Sequence, residues 1–154
     1  MKALGSAVRS ICFRPMVLDD VSRCLILLAQ LGYELEHDEA ERRFLAVAGF
    51  PGHSLLVAES EKQIVGLLHV YARPALEKPP EAVVQAVVVD RSFRGNGIGK
   101  AFMAAAERWA CDRGYRSVSL SSNITRGKAH AFYEAIGYQR FASSYLFRKE
   151  LPPG

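Results

Sequence analysis

Three glycines fall within five residues at Gly95-Asn96-Gly97-Ile98-Gly99, between two segments of opposite character. Before them, Val87-Val88-Val89 ends an apolar run without alternation, the pattern of a strand covered on both faces. After them, Ile98, Phe102, Ala105, Ala106 and Trp109 recur at i, i+4, i+7, i+8 and i+11, one face of a helix. A strand that turns through glycines into a helix presents the helix's first N–H groups without intrahelical partners, at the positive end of its dipole, where an anion is favoured. Glycine's missing Cβ lets phosphate oxygens approach those amides closely. One glycine would serve a tight turn into a packed helix. Three of them, with Arg94 just ahead, point to a phosphate-bearing ligand.

The two commonest phosphate loops are excluded by residue. A dinucleotide fingerprint, GxGxxG, needs glycine at position 100, where Lys100 stands. A Walker A loop ending at Gly99-Lys100 needs glycine at 94 and Ser or Thr at 101, where Arg94 and Ala101 stand.

Around this loop the chain reads as an alternation of short elements. Ile11-Cys12-Phe13 predicts a strand. Asp19 or Asp20 then caps a helix with Val21, Leu25, Leu28 and Leu31 at helical spacing, ended by Gly32. A second helix is expected from Asp38 to about Val47, with Ala40, Phe44 and Val47 on one face. Ser54–Ala58 and Ile64–Tyr71 flank the polar turn Glu59–Lys62 as a hairpin. Arg73–Pro80 is a proline-rich loop, Ala82–Val89 a strand, and Gly114 ends the helix after the glycine loop. A strand at Ser117–Leu120, a helix marked by Ala129, Phe132, Tyr133 and Ile136 and stopped at Gly137, and two short β segments between Tyr138 and Leu151 complete the order.

The 154 residues fit one domain, residues 1–154, with 1–9 a loosely held or disordered N-terminal segment. Apolar residues at 49 % and charged residues at 23 % exclude a disordered chain. The net charge of +4 suits anionic ligands, and without a Lys/Arg-dense run nucleic acid is not expected as a partner. With neither a signal-like start nor a long apolar stretch, the reading is cytoplasmic, with no membrane partner. Cys12, Cys24 and Cys111 are odd in number and lack CxxC spacing, so they read as small core residues rather than disulfides or a zinc site, and no metal is expected.

The spacing Arg94-x-x-Gly97-x-Gly99 resembles motif A of the GNAT acetyltransferases, [Q/R]-x-x-G-x-[G/A]. About thirty residues on, Ala129-x-x-Phe132-Tyr133-x-x-x-Gly137-Tyr138 resembles that family's second block, A-x-x-[FL]-Y-x-x-x-G-[FY]. The resemblance covers Ile11 to Leu151, and its specific motifs lie between Val87 and Tyr138. It implies an α/β (α+β layered) fold, with a mixed, mostly antiparallel sheet of six or seven strands and about four helices. It implies N-acetyltransfer from acetyl-CoA, as co-substrate, to an amine. Main-chain groups of Val87, Val88 and Val89 would pair with the pantetheine arm, and one N–H would polarise the thioester carbonyl. Gly95, Asn96, Gly97, Ile98, Gly99 and Lys100 would bind the pyrophosphate, with Arg94 at the motif's first position. Tyr133 would protonate the leaving thiolate. The amine would attack directly, with no acyl-enzyme.

Two positions depart from the family pattern. Arg126 stands where many relatives carry Asn, and Ser121 where some carry a general-base Glu. The base stays open among Glu81, His69, His53 and a water relay through Gln85. Arg126 and Lys128, near a helix start, oppose its dipole unless solvated, or face an anion on the cofactor or substrate. The run Leu120–Tyr133 resembles enzymes acting on small amines, including aminoalkylphosphonate acetyltransferases, so a small primary amine is the expected partner. A homodimer is compatible with this reading. A protein N-terminal or lysine acetyltransferase and a non-catalytic acyl-CoA sensor are the alternatives, and Tyr133 argues against the sensor.

Overall fold

A computed structural model describes residues 10–154; the expectation for residues 1–9 lies outside them. The chain divides into two compact units, one ending at Ser121 and the other Ser122–Gly154.

The first unit is organised by a hairpin. β2 (His53–Ser60) and β3 (Gln63–Arg73) pair antiparallel from His53↔Tyr71 to Ser60↔Gln63. β2 runs two residues further than its apolar run predicts. Glu61 and Lys62 make the connection, both at positive φ (49° and 66°). A two-residue turn of that kind matches the strand twist, and non-glycine residues carry a steric cost there. β1 (Cys12–Pro15) pairs antiparallel with β2, and β4 (Glu81–Val89) antiparallel with β3. β5 joins β4 in parallel through only Val118 and Ser119, shorter than the Ser117–Leu120 strand expected. The result is one mixed five-stranded sheet in the order β1-β2-β3-β4-β5.

Helices cover both faces. α1 (Val21–Gln30) buries Val21, Cys24 and Leu27, so the packed stripe passes through Leu27 rather than Leu25. Cys24, Leu27, Val57, Ile64, Leu67 and Val88 form one core cluster, with Leu28 and Leu31 packed beside it. α2 (His37–Ala48) turns Ala40, Phe44 and Val47 inward, as predicted. α3 (Ile98–Asp112) buries Ile98, Phe102, Met103, Ala106 and Ala110, a stripe rotated slightly from the one expected. Phe102 meets Phe13 edge-on at 5.3 Å and fills the space above Gly66, where a Cβ would lie 2.6 Å from its ring. Full burial of a side chain of this size contributes about 2–3 kcal/mol. Among the cysteines only Cys24 is buried; Cys12 and Cys111 are exposed, because β1 and the end of α3 carry them on outer positions.

Charges close the start of the fold. The Asp20 side chain is fully buried and accepts both Arg14 guanidinium N–H groups at 2.8 Å, a third bond from Arg23 and a fourth from the Val17 N–H. Arg14 also reaches Glu59, tying β1 to β2. The carboxylate is therefore spent on this network rather than on capping α1 with its side chain.

In the second unit, α4 (Gly127–Ala135) is the one helix among the described residues, and none of its residues is fully buried. It ends as predicted at Gly137, φ 100°, where the Tyr138 N–H bonds back to Tyr133 O. The two β segments expected between Tyr138 and Leu151 are not formed: among the described residues no strand follows β5. Aromatic residues suit a strand, but a strand also needs a partner's N–H and C=O groups, which composition does not provide. Phe141, Tyr145, Phe147 and Leu151 are exposed. Among the described residues the sheet has five strands where six or seven were expected, and the α-helices number four as expected.

Candidate active site

β4 supplies the platform. It pairs with β3 along its whole length, Gly66↔Val89 to Arg73↔Glu81, but with β5 only at Ala82↔Val118 and Val83↔Ser119. From Val84 onward its other edge has no strand among the described residues. Val87, Val88 and Val89 lie on this free stretch, which can accept an extended ligand as an added strand. The register slips between His69 and Val70, so Gln85 is an extra residue opposite them, a β-bulge that bends β4 on the free stretch, ahead of Val87.

The turn leaving β4 is held from several sides. Asp90 is buried; its Oδ1 accepts the Ser92 N–H at 2.8 Å and its N–H donates to Val65 O. Gln30, from the end of α1, donates to Asp90 Oδ2 at 3.4 Å and accepts the Arg91 N–H at 3.1 Å. Arg94 folds back to donate from Nε to Val89 O, and the Asn96 amide donates to Phe93 O. Gly95 and Gly97 then take positive φ, 82° and 79°, which L side chains rarely adopt. A Cβ at either would meet nothing within 4 Å, so backbone conformation explains these glycines and the space before them is open. Gly99 already lies inside α3. The first helical hydrogen bond there is Ala101 N–H to Gly97 O, so the Ile98, Gly99 and Lys100 N–H groups precede the ladder and are presented at the helix start. Gln30 escaped sequence reasoning: sixty positions separate it from Asp90, and its helix reads as ordinary.

Several base candidates sort themselves. Glu81 pairs with Arg73 and accepts the Ser117 hydroxyl. Burial raises its pKa, but hydrogen bonds from Ser119, Arg73 and Ser117 outweigh that and hold it below the usual range. A carboxylate so engaged is a weak proton acceptor. Gln85 carries no proton-accepting group of useful basicity. His53 and His69 lie together, Nδ1 of the first 2.8 Å from Nε2 of the second. Cys24 is inert as a nucleophile, its thiol pushed up to about 12 chiefly by burial.

In the second unit, Asn123 organises the approach to α4. Its Oδ1 accepts from the Thr125 N–H and hydroxyl, and its carbonyl contacts His130 Nε2 at 2.8 Å. Arg126 is the N-cap residue, without a side-chain cap, and it and Lys128 are exposed. Tyr133 is half-buried beside Phe132 and Tyr138. Burial raises its hydroxyl pKa and the Arg126 charge opposes this, leaving a net rise, so the hydroxyl is protonated at neutral pH and able to donate.

Comparison with known proteins gives the family. Residues 17–138 match the family described as Acetyltransferase (GNAT) family. The aminoglycoside N(6')-acetyltransferase type 1 of Stenotrophomonas maltophilia is 27% identical over 120 residues, covering 75% of this chain and 78% of the relative. An uncharacterized N-acetyltransferase, YhdJ, of Bacillus subtilis (strain 168) is 29% identical over 124 residues, 80% of this chain and 86% of its own. Among solved structures, aminoglycoside N-acetyltransferase AAC(6')-Iy in complex with CoA superposes with a TM-score of 0.84 at 18% identity, covering 96% of this chain and 100% of that one, which shows a shared fold. The chain belongs to the GNAT acetyltransferase family and is an acetyl-CoA-dependent N-acetyltransferase.

Proposed function

We propose that this enzyme transfers acetyl from acetyl-CoA to a small primary amine by direct attack, without an acyl-enzyme, as one functional domain. The observation that carries the reading is the free stretch of β4 running into a glycine turn and the open start of α3. In this reading Val87, Val88 and Val89 pair with the pantetheine arm and supply the N–H that polarises the thioester carbonyl. Arg94 and Gly95 to Lys100 hold the pyrophosphate. Tyr133 protonates the departing thiolate, and Arg126 meets an anionic group of cofactor or substrate. Direct attack is supported by Cys24, whose thiol stays protonated.

Within small amines, one carrying an anionic group, of the aminoalkylphosphonate kind, follows from the cations Arg126 and Lys128. A polycationic aminoglycoside is the second reading. Arg73 is neutralised by Glu81, while Glu34, Glu36 and Asp38, before and at the start of α2, stay exposed and acidic. The aminoglycoside-acetylating relative favours the same side. Thiol release from acetyl-CoA with 2-aminoethylphosphonate, glucosamine 6-phosphate, neamine and a lysine peptide tests this. Turnover of one of the first two above the others is expected. A preference for neamine installs the second reading, and a preference for the peptide removes both.

A further inference from the structure

On the sheet face that packs α1 and α2, two histidines from adjacent strands form a linked pair. His53 opens β2 and is the register partner of Tyr71; His69 lies in β3, opposite Leu55 on one side and Ala86 on the other. Their side chains are diagonal neighbours on one face. His53 Nδ1 and His69 Nε2 lie 2.8 Å apart, so one ring donates and the other accepts. Tyr71 stacks on His53 at 5.1 Å, and Phe50 meets it edge-on at 5.6 Å. A hollow of about 100 Å³ beside His53 is lined otherwise by Met16, Phe44, Val47, Ala48 and Leu55, none of them charged. The ring contacts are thus with each other, with Tyr71 and with apolar groups, and among the described residues no carboxylate pairs with either ring.

The position of the pair relates it to the reacting atoms. His69 faces Ala86, whose side chain is a single methyl, on the free stretch immediately after the bulged Gln85 and before Val87–Val89. An acceptor lying over Ala86 toward that stretch has His69 as its neighbour on the next strand. Glu81, the other ionisable candidate, is held by Arg73 and Ser117.

We propose that the His53–His69 pair takes the proton shed by the acceptor nitrogen as the C–N bond forms and passes it from ring to ring toward solvent. The assignment rests on the acetyltransfer reading above. The neutral amine attacks the thioester carbon, its lone pair becoming the C–N bond, and the nitrogen turns cationic and strongly acidic. With His69 Nε2–H donating to His53 Nδ1, the free His69 Nδ1 lone pair accepts one N–H proton. His69 hands its Nε2 proton to His53, and His53 releases its Nε2 proton to water. The C–S bond breaks, its electron pair stays on sulfur, and the thiolate is protonated to CoA thiol by the general acid. Amine and acetyl-CoA become amide and CoA thiol, the general acid regains its proton from water, and exchange with water restores the starting tautomers. The pair must be neutral to begin, and burial, then the neighbouring His53, push His69 down to about 4.

His69→Gln separates this role from a structural one, because a glutamine N–H still donates toward His53 but the side chain cannot relay a proton. With the best acceptor of the amine panel, kcat falls about 10²-fold, while the Kd for acetyl-CoA and the melting temperature hold. His53→Phe keeps the stack on Tyr71 and lowers kcat by about 10-fold. Free imidazole restores turnover to His69→Ala. Parental kcat in His69→Gln, with single-turnover data showing acetyl transfer to be rate-limiting, would overturn the assignment. Ring ¹⁵N shifts of the wild-type chain from pH 4 to 8 give a readout free of activity. A neutral, hydrogen-bonded pair at pH 7, perturbed by neamine or 2-aminoethylphosphonate with CoA bound, supports the relay, and a protonated or unperturbed pair overturns it. If the parent acetylates no amine of the panel, the proposed function fails and the ring shifts alone decide the pair.

Discussion

The glycine turn between β4 and α3 and the Ser122–Gly154 unit contain the two motifs that mark this family, yet they are built by opposite means. The turn is fixed by backbone geometry: Gly95 and Gly97 at positive φ, with Asp90, Gln30 and Asn96 hydrogen-bonded to main-chain groups around them. Beside it α3 buries five side chains, whereas α4 buries none completely. The chemistry expected of the turn comes from amides, which any sequence with that backbone would present. The chemistry expected of α4 comes from one hydroxyl, on Tyr133. A backbone site is lost by changing conformation, a side-chain site by deleting an atom.

Substitutions can separate the two designs. Gly97→Asp attacks the turn twice, by placing a Cβ at a φ of 79° and by setting a carboxylate where an anion is expected. Like charges brought together cost several kcal/mol, so acetyl-CoA affinity should fall by about 10³-fold or more, measured by calorimetry on a variant whose circular dichroism matches the parent. Undiminished binding would refute the loop assignment.

Asp20→Ala asks whether the first unit's frame depends on its buried charges. Removing one partner of a buried pair costs about 3–5 kcal/mol, and the partly exposed Arg14 places the expected loss at about 3 kcal/mol by denaturant melting. The pH dependence has a fixed sign. Arg14 hydrogen bonds outweigh burial and hold the Asp20 carboxyl below its usual pKa, so in acid the unfolded chain binds more protons. The stabilisation is whole above the ordinary carboxylate pKa of about 3.9 and disappears as pH falls through the lower folded value. An Asp20→Ala variant that keeps the parent's acid-unfolding profile would show that other carboxylates set it.

Tyr133→Phe is the complementary cut in the second unit. It keeps the ring against Phe132 and Tyr138, so melting should scarcely move while kcat drops by about 10²-fold. Unchanged turnover, with chemistry rate-limiting, would exclude Tyr133 as the acid. The smallest effect belongs to the β2–β3 turn, remote from both motifs. Lys62→Gly relieves a residue at φ 66° and should raise stability by about 0.5–1 kcal/mol, with kinetics unaltered; a loss of stability would mean that the Lys62 side chain contributes more than the strain costs.

Local pattern accounts for what the sequence made legible. Gly32, Gly114 and Gly137 occupy the positive-φ positions that their places at helix ends imply, and the strand–turn–helix order around Arg94–Lys100 follows from changes of hydrophobic period within a few residues. The β segments expected at Tyr138–Leu151 failed because local composition does not say whether another strand is there to pair. Cys12 and Cys111 misled for a related reason: small apolar residues suit a core, but only the placement of β1 and the end of α3 decides which ones enter it.

By itself, then, the sequence determined the backbone chemistry, a helix start with open N–H groups after a buried strand and a tyrosine two residues before a helix's end, since these depend on residues within a turn or two of each other. Tertiary structure decided the partnerships. Gln30 reaches Asp90 across sixty positions, Phe102 closes over Gly66, Arg14 joins Asp20 to Glu59, and the β2–β3 register sets His53 beside His69. Such contacts depend on strand register and helix placement, which arise when the whole core packs, and no spacing along the chain encodes them.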